Sequence, residues 1–131
     1  MHAPRHPAIK LANRDGDRSR FVVAGDVDTT EWLEAYERFL QAEPAGHVLW
    51  DLTQGSLGDL SSASVSELAL RIGAVRARHR ASGRFALACV REVDADVARL
   101  LVIYALADPP APIEVFRDSD AAWRSLSDVN A

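Results

Sequence analysis

Cysteine is almost absent from the sequence, because Cys89 is the single one among 131 residues. A lone cysteine excludes an intramolecular disulfide and a metal cluster built from several cysteines, and it predicts a reducing, cytoplasmic location. Cys89 stands in the apolar run Phe85-Ala86-Leu87-Ala88-Cys89-Val90. We therefore expect it to pack as a small buried hydrophobic side chain.

Long hydrophobic runs are absent as well. No stretch approaches the roughly 20 apolar residues that span a bilayer, and the first seven residues lack the apolar segment of a secretory signal. We expect disordered tails at 1–7 and 128–131 around a single domain at 8–127. The net charge of −4 argues against nucleic acid as a partner, because phosphate binding needs a concentrated basic face.

The signatures of common catalytic and cofactor sites are also missing. No Lys-Ser or Lys-Thr follows Gly55-Ser56-Leu57-Gly58, so this loop is not a Walker loop. No Gly-x-Ser-x-Gly nucleophile elbow occurs, and no His, Cys or acid stands at metal-ligand spacing. The sequence predicts no catalytic residues, no cofactor and no metal.

Apolar residues make up 48% of the chain and follow alternating strand and helix patterns. An Asp-Gly turn predicts a hairpin of residues 7–13 and 19–25, and helical spacing predicts a helix at 29–42 capped by Asp28. Next come a strand at 48–50 ending in Asp51, a helix that starts at Ser61 or Ser62 with Gly83 as its C′ residue, and a strand at 85–90. A third helix is expected to pack through Val97, Leu100, Leu101 and Tyr104, with Asp94 or Asp96 as its cap. A strand with Ile113, Val115 and Phe116 and a short helix capped by Asp118 complete the chain.

This order, β-β-α-β-α-β-α-β-α, predicts a single α/β domain. Its sheet is expected to be mostly parallel, with an antiparallel N-terminal hairpin and helices packed on it. Trp32, Trp50 and Trp123 fall on apolar faces, so we expect them to serve core packing.

The stretch from His47 to Leu70 contains the candidate site. A strand ends at Asp51, a glycine-containing loop follows, and Asp59-Leu60-Ser61-Ser62 leads into a helix. Helix N-termini and strand ends at such corners are common docking places in α/β proteins. We refer to residues 55–66 as the corner.

The same residues resemble a known family. Asp51-Leu52, followed eight residues later by Asp59-Leu60-Ser61-Ser62, is similar to the strand-end pair and Asp-Ser-Ser-Gly signature of the STAS fold. That fold occurs in bacterial anti-sigma-factor antagonists, the SpoIIAA-like group. The chain departs from the signature through Leu60 and through Ala63, which stands where the glycine would be. Leu49-Trp50-Asp51-Leu52, Gly83-Arg84 and Val115-Phe116-Arg117-Asp118 resemble uncharacterised STAS-like proteins.

The resemblance implies that a serine at the corner is phosphorylated by an anti-sigma kinase, and that phosphorylation releases the complex. Ser61 matches the regulatory serine by its spacing from Asp51, and Ser62 matches it as the second serine of the pair. Phosphate there would add charge beside Asp59 and remodel an interface. The alternative is a plain helix cap, which contributes about 1 kcal/mol.

The sequence is compatible with three functions. The first is a STAS-like module without catalysis that binds a protein partner, or itself, near the corner. The second is a domain that binds a lipid or small molecule, with the cationic residues of one helix, Arg71, Arg76, Arg78, His79 and Arg80, meeting an anionic headgroup. Those cations also suit a solvated helix end. The third is a hydrolase-type enzyme using Asp51, Asp59 and Ser61.

Overall fold

A five-stranded mixed sheet forms the centre of the protein in the computed structural model, which describes residues 9–58, 60–106 and 112–127. The predicted tails at 1–7 and 128–131 lie outside the described residues. In chain order the elements are β1 (Ile9–Asp15), β2 (Arg18–Val23), β3 (Gly25–Asp26), α1 (Thr29–Ala42), β4 (His47–Asp51), β5 (Gly55–Ser56), α2 (Ser62–Arg78), β6 (Phe85–Ala88), α3 (Glu92–Ala105), β7 (Ile113–Phe116) and α4 (Ser119–Ser127).

The strand order is β1-β2-β4-β6-β7, with β1 antiparallel to β2 and every other neighbouring pair parallel. The predicted α/β class, mixed sheet and N-terminal hairpin are therefore confirmed. The parallel strands advance across the sheet in one direction only. Because right-handed crossovers then lie on the same face, the strands of the described residues form no topological switch point of the kind found at ligand crevices.

The two faces of the sheet carry different helices. Alternate side chains of a strand point to opposite faces. Trp50 and Phe85 pack with α1, α2 and α3, whereas Leu49 and Ala86 pack with Ala122 and other residues of α4. The four helices in the described part of the chain therefore divide three to one between the faces, and this division decides which side chains can meet.

Aromatic packing on the three-helix face centres on Trp50. Its ring stacks on Phe21 with centroids 4.9 Å apart and meets Trp32 and Tyr36 edge-on at 6.0 and 6.1 Å. Trp32 and Trp50 are buried, as predicted, and Trp123 is partly buried against the α4 cluster. Offset and edge-on aromatic pairs stabilise a core beyond their area burial.

A short parallel pair, β3 with β5, was not predicted from the sequence. A Cβ at Gly55 would lie 2.4 Å from the Val23 carbonyl oxygen, so the close approach of these segments requires glycine. The Val27 N–H donates to the Ser56 carbonyl oxygen at 2.8 Å and extends the pairing. The loop that leads into the corner is thus attached to the segment that precedes α1.

Helix capping follows the sequence in α1 and α4. Asp28 Oδ1 accepts hydrogen bonds from the backbone N–H groups of Thr30 and Glu31, and Asp118 Oδ1 accepts from that of Asp120. These contacts confirm both predicted caps.

Two other capping predictions are wrong. Arg91, not Asp94 or Asp96, is the N-cap of α3, and it makes no side-chain capping bond. At the end of α2, Arg80 takes the left-handed conformation (φ 52°) that was expected of Gly83. Gly83 instead packs directly against the backbone of Gly46.

Cys89 is fully buried, as predicted. Burial, aided by the nearby Asp94 carboxylate, raises the pKa of its thiol to about 11. The thiolate is the reactive form, so the native thiol should resist alkylation.

We expect iodoacetamide at pH 8 to leave native Cys89 unmodified and to alkylate it in full once the chain is unfolded in urea. Mass spectrometry of the intact chain measures the outcome. A Ser82→Cys variant carries a thiol at an exposed position and should react at once. Rapid alkylation of the native wild-type chain would contradict burial of Cys89.

Candidate functional site

Ser61 and Ser62 lie at the exposed start of α2. Ser61 is the N-cap, because its Oγ accepts a hydrogen bond from the Ser64 backbone N–H at 3.1 Å. Of the two serines predicted as the cap, Ser61 is therefore the one that caps α2. Ser62 is the first helical residue, and both hydroxyls are accessible from solvent.

A buried carboxylate fixes the loop in front of these serines. Asp94 Oδ1 accepts hydrogen bonds from Ser56 Oγ and from the Leu57 backbone N–H, both at 3.0 Å. Ser56 Oγ in turn accepts from the Gly58 N–H at 2.9 Å. Since Asp94 is 1% exposed, the two bonds to its carboxylate connect α3 to Ser56 and Leu57 within the protein interior, and the third closes the loop as far as Gly58. Asp59 lies outside the described residues.

Sequence reasoning missed this role of Asp94. An acid in the first turn of a helix is typical of a cap, and nothing in the local pattern points to Ser56, which is 38 residues away. The one sequence signal that Asp94 is buried was its position next to apolar residues that were expected to pack in the core.

Asp51 lies on the other side of the sheet from Ser61. Its Oδ2 accepts a hydrogen bond from Ser119 Oγ of α4 at 2.7 Å and lies 3.3 Å from a guanidinium nitrogen of Arg20. Its Oδ1 accepts from the Thr53 backbone N–H at 2.9 Å and from the Thr53 hydroxyl at 2.6 Å. Asp51 therefore bonds to the loop that follows its strand, and its side chain faces α4 while α2 packs on the opposite face.

The ionisation of Asp51 fits this structural role. Burial raises its pKa, but the hydrogen bonds from Thr53 and Ser119 and the charge of Arg20 outweigh burial and hold the pKa below its usual value. The carboxylate is charged, paired and 2% exposed. Of the three residues in the enzymatic hypothesis, Asp51 and Ser61 do not converge in one pocket, and Asp59 lies outside the described residues.

A cleft runs between the start of α1 and α2, next to the corner. Three apolar residues line it, Leu33, Leu60 and Leu68, but most of its lining is polar or charged, from Thr29, Thr30, Ser64, Glu67 and Arg71. Its volume of about 240 Å³ is below the range of pockets that enclose drug-sized ligands. The cleft has room for one or two side chains of a partner.

The cationic residues of α2 are largely engaged within the chain. Arg71 pairs with Glu67 at 2.8 Å and Arg78 with Glu37 at 3.1 Å. Arg76 donates to the Tyr36 hydroxyl and to the Gly83 carbonyl oxygen at 2.8 and 3.0 Å. These contacts favour a structural role for the cations over an anionic headgroup.

Within the described ranges, no three side chains of the His, Cys, Asp and Glu types come together to hold a metal ion. The described helices also include none with the length and apolar character needed to cross a bilayer.

Fold and site together define an α/β protein with a mixed sheet and an exposed helix start that bears two serines and follows a loop held by a buried carboxylate. The chain matches no protein-family model, and no curated protein is similar to it at a significant level.

Proposed function

We propose that the protein is a STAS-like interaction module without catalysis of its own, and that a protein partner binds at the corner. The observation that carries the proposal is the pair of exposed serines, Ser61 at the N-cap and Ser62 at the first position of a 17-residue helix. They stand beside the cleft between α1 and α2, whose lining is mostly polar. The antiparallel hairpin and the strand order are compatible with the STAS fold that the sequence resembles.

The construction of the corner also supports a binding role. Asp94 and Ser56 hold the loop from the inside, so residues 56–58 require no exposed side chain for their own stability. A preorganised surface loses less conformational entropy on binding. A partner side chain that enters the cleft would contact Leu33 and Leu60, which are partly exposed, together with polar residues such as Ser64 and Arg71.

A phosphoryl group on Ser61 is the switch that the resemblance implies. It would place up to two negative charges at the positive end of the α2 dipole, within reach of a docked partner. Because an N-cap oxygen is retained in a phosphoserine, we propose that the modification changes the interface and leaves α2 folded.

Partner capture from lysate tests the proposal with three variants. Ser61→Asp keeps an N-cap acceptor and adds charge, and we expect it to reduce capture more than tenfold at unchanged stability. Ser61→Ala should lose about 1 kcal/mol of stability, and Ser62→Ala should leave stability unaltered. Quantitative mass spectrometry of captured proteins and thermal unfolding measure the two effects.

The matched control is Ser82→Ala, which alters an exposed serine beyond the far end of α2. The corner is not the interface if wild type captures the partner as well as all three variants do, that is, Ser61→Asp, Ser61→Ala and Ser62→Ala.

A further inference from the structure

Two of the elements that expose large apolar side chains are α3 and β1. On α3 the predicted packing through Leu100 is wrong, because Leu100 is exposed and the buried residues of this helix are mainly alanines. On β1 the exposed apolar residue is Leu11, which is 51% exposed and borders a pocket. Leu11 therefore belongs to a concave surface, where small ligands bind more often than on a flat one.

This pocket opens between the edge strand β1, its neighbour β2 and the C-terminal part of α1, and we refer to it as the β1 pocket. Its volume is about 240 Å³. An engineered apolar cavity of about 150 Å³ binds benzene, so the β1 pocket has room for one aromatic ring with a short side arm. Most of its lining is apolar and comes from all three elements: Ile9, Leu11, Phe21, Ala35, Phe39 and Ala42.

Two phenylalanines connect the β1 pocket to the aromatic core. Phe21 stacks on Trp50 with centroids 4.9 Å apart, and Phe39 meets Phe21 edge-on at 6.0 Å. A ring bound in the pocket would extend this cluster and cover Leu11. Stacked and edge-on ring pairs contribute free energy beyond the apolar area that they bury.

A buried serine without a hydrogen bond lies in the same lining. Ser19 is 4% exposed, and among the described residues its hydroxyl has no hydrogen-bond partner. Ser19 and Phe21 are two residues apart on β2, so their side chains point to the same face of the sheet. Since buried polar groups are seldom left unpaired, an occupant with a hydrogen-bond acceptor would supply the partner that Ser19 lacks.

The charges of the lining favour an anion. Arg14 pairs with Glu43, and Arg38 has no ion-pair partner among the described residues. Two arginines and one glutamate give the lining one net positive charge, in a chain whose net charge is −4. A ligand with a single negative charge would balance the lining.

The acids nearest to Arg38 on α1 do not occupy its guanidinium. Glu37 pairs with Arg78 at 3.1 Å, and Glu34, one turn before Arg38, makes no ion pair within the described residues. The planar guanidinium of Arg38 is therefore available to a carboxylate, which arginine binds through two parallel hydrogen bonds.

We propose that the β1 pocket binds a small aromatic monocarboxylate, independently of the partner at the corner. Arg38 pairs with the carboxylate, the Ser19 hydroxyl donates to one of its oxygens, and the ring packs on Phe21 and Phe39. The β1 pocket shares no lining residue with the cleft beside the corner, so binding at the two places can be tested separately.

An NMR titration of the ¹⁵N-labelled full chain with 3-phenylpropionate tests the proposal. We expect a dissociation constant of about 0.1–1 mM, as is usual for a ligand of this size. The amide shifts should be largest in β1, β2 and the C-terminal part of α1. The uncharged amide of the same acid should bind at least about fivefold more weakly, because it gives Arg38 no charge to pair with.

Two variants separate the roles of the polar residues. Arg38→Gln should weaken binding of the acid more than about fivefold and leave binding of the amide unchanged. Ser19→Ala should weaken binding of the acid about threefold without lowering the thermal stability, because the Ser19 hydroxyl has no bond to lose in the free chain. Arg91→Gln is the matched control, since it alters another exposed arginine outside the β1 pocket, and it should change neither affinity.

A full chain that does not bind 3-phenylpropionate at 10 mM overturns the proposal, with about 10 mM taken as ten times the weakest affinity expected. So does equal affinity for the acid and its amide, or an Arg38→Gln chain that binds the acid as well as wild type does. Shifts that concentrate at the cleft beside the corner would place the ligand elsewhere and overturn it as well.

Discussion

Replacing Gly83 by alanine is expected to abolish stable folding. A Cβ at this position would lie 1.8 Å from the Gly46 carbonyl oxygen and 2.4 Å from its carbonyl carbon. Both are backbone atoms of a loop that other bonds already fix, since Arg84 N–H donates to His47 Nδ1 at 2.9 Å. The Gly46 backbone therefore cannot move aside as a flexible side chain would. We expect the free energy of unfolding to fall by more than about 4 kcal/mol, which is measurable by urea denaturation or as insoluble expression.

Gly16→Ala separates this steric effect from backbone strain. Gly16 has φ 62°, and an added Cβ would meet no atom within 4 Å. The substitution should cost only about 1–2 kcal/mol, from the left-handed conformation alone. A Gly83→Ala chain no less stable than Gly16→Ala would contradict the close packing of the 46 and 83 loops.

Removing the carboxylate of Asp51 is expected to produce the other large effect. Asp51→Ala leaves the Ser119 hydroxyl and the Thr53 N–H without their buried acceptor and removes the charge opposite Arg20. Loss of one partner from a buried network of this kind costs about 3 kcal/mol. Urea denaturation measures it, and Asp15→Asn, which alters an exposed acid on β1, should change stability by less than about 0.5 kcal/mol.

The acid sensitivity of the protein should depend on the same carboxylate. Because the pKa of Asp51 is lowered in the folded state, the unfolded chain takes up the proton first as the pH falls. The stabilisation is therefore complete above about pH 4 and is lost progressively below it. Asp51→Asn should show a shallower loss of stability between pH 4 and pH 2 than wild type, as followed by tryptophan fluorescence.

An unchanged acid profile in Asp51→Asn would show that the carboxylate is not preferentially ionised in the folded chain. The result also bears on function. A structural Asp51 predicts that partner capture at the corner follows stability in this variant, whereas Ser61→Asp alters capture without altering stability.

The local features of the fold could be predicted from the sequence. The helix at 29–42 and its cap Asp28 were placed to the residue, because helical spacing and an N-cap acceptor are properties of neighbouring residues. The carboxyl end of β4 at Asp51 and the start of α2 near Ser61 were found for the same reason. The chemistry expected at the corner, an exposed serine on a helix N-terminus, depends on these local signals alone.

Contacts between distant residues could not be predicted. Asp94 binds Ser56 across 38 residues, and Asp51 binds Ser119 across 68. A glycine shortly after a helix is typical of a helix C-terminus, which is why the sequence predicts that role for Gly83. In the structure, glycine is needed there because the backbone of Gly46, in another loop, leaves no space for a Cβ.

Periodicity and capping act over a few neighbouring residues, so the amino-acid sequence was sufficient to predict the α/β class, the alternation of elements and most helix caps. Tertiary packing was needed to establish which side of α3 is buried, which carboxylate holds the corner, and that Asp51 and Ser61 lie on opposite faces of the sheet. These outcomes depend on how closely helices and strands can approach one another. That distance is set by the sizes of side chains that meet only after the chain has folded.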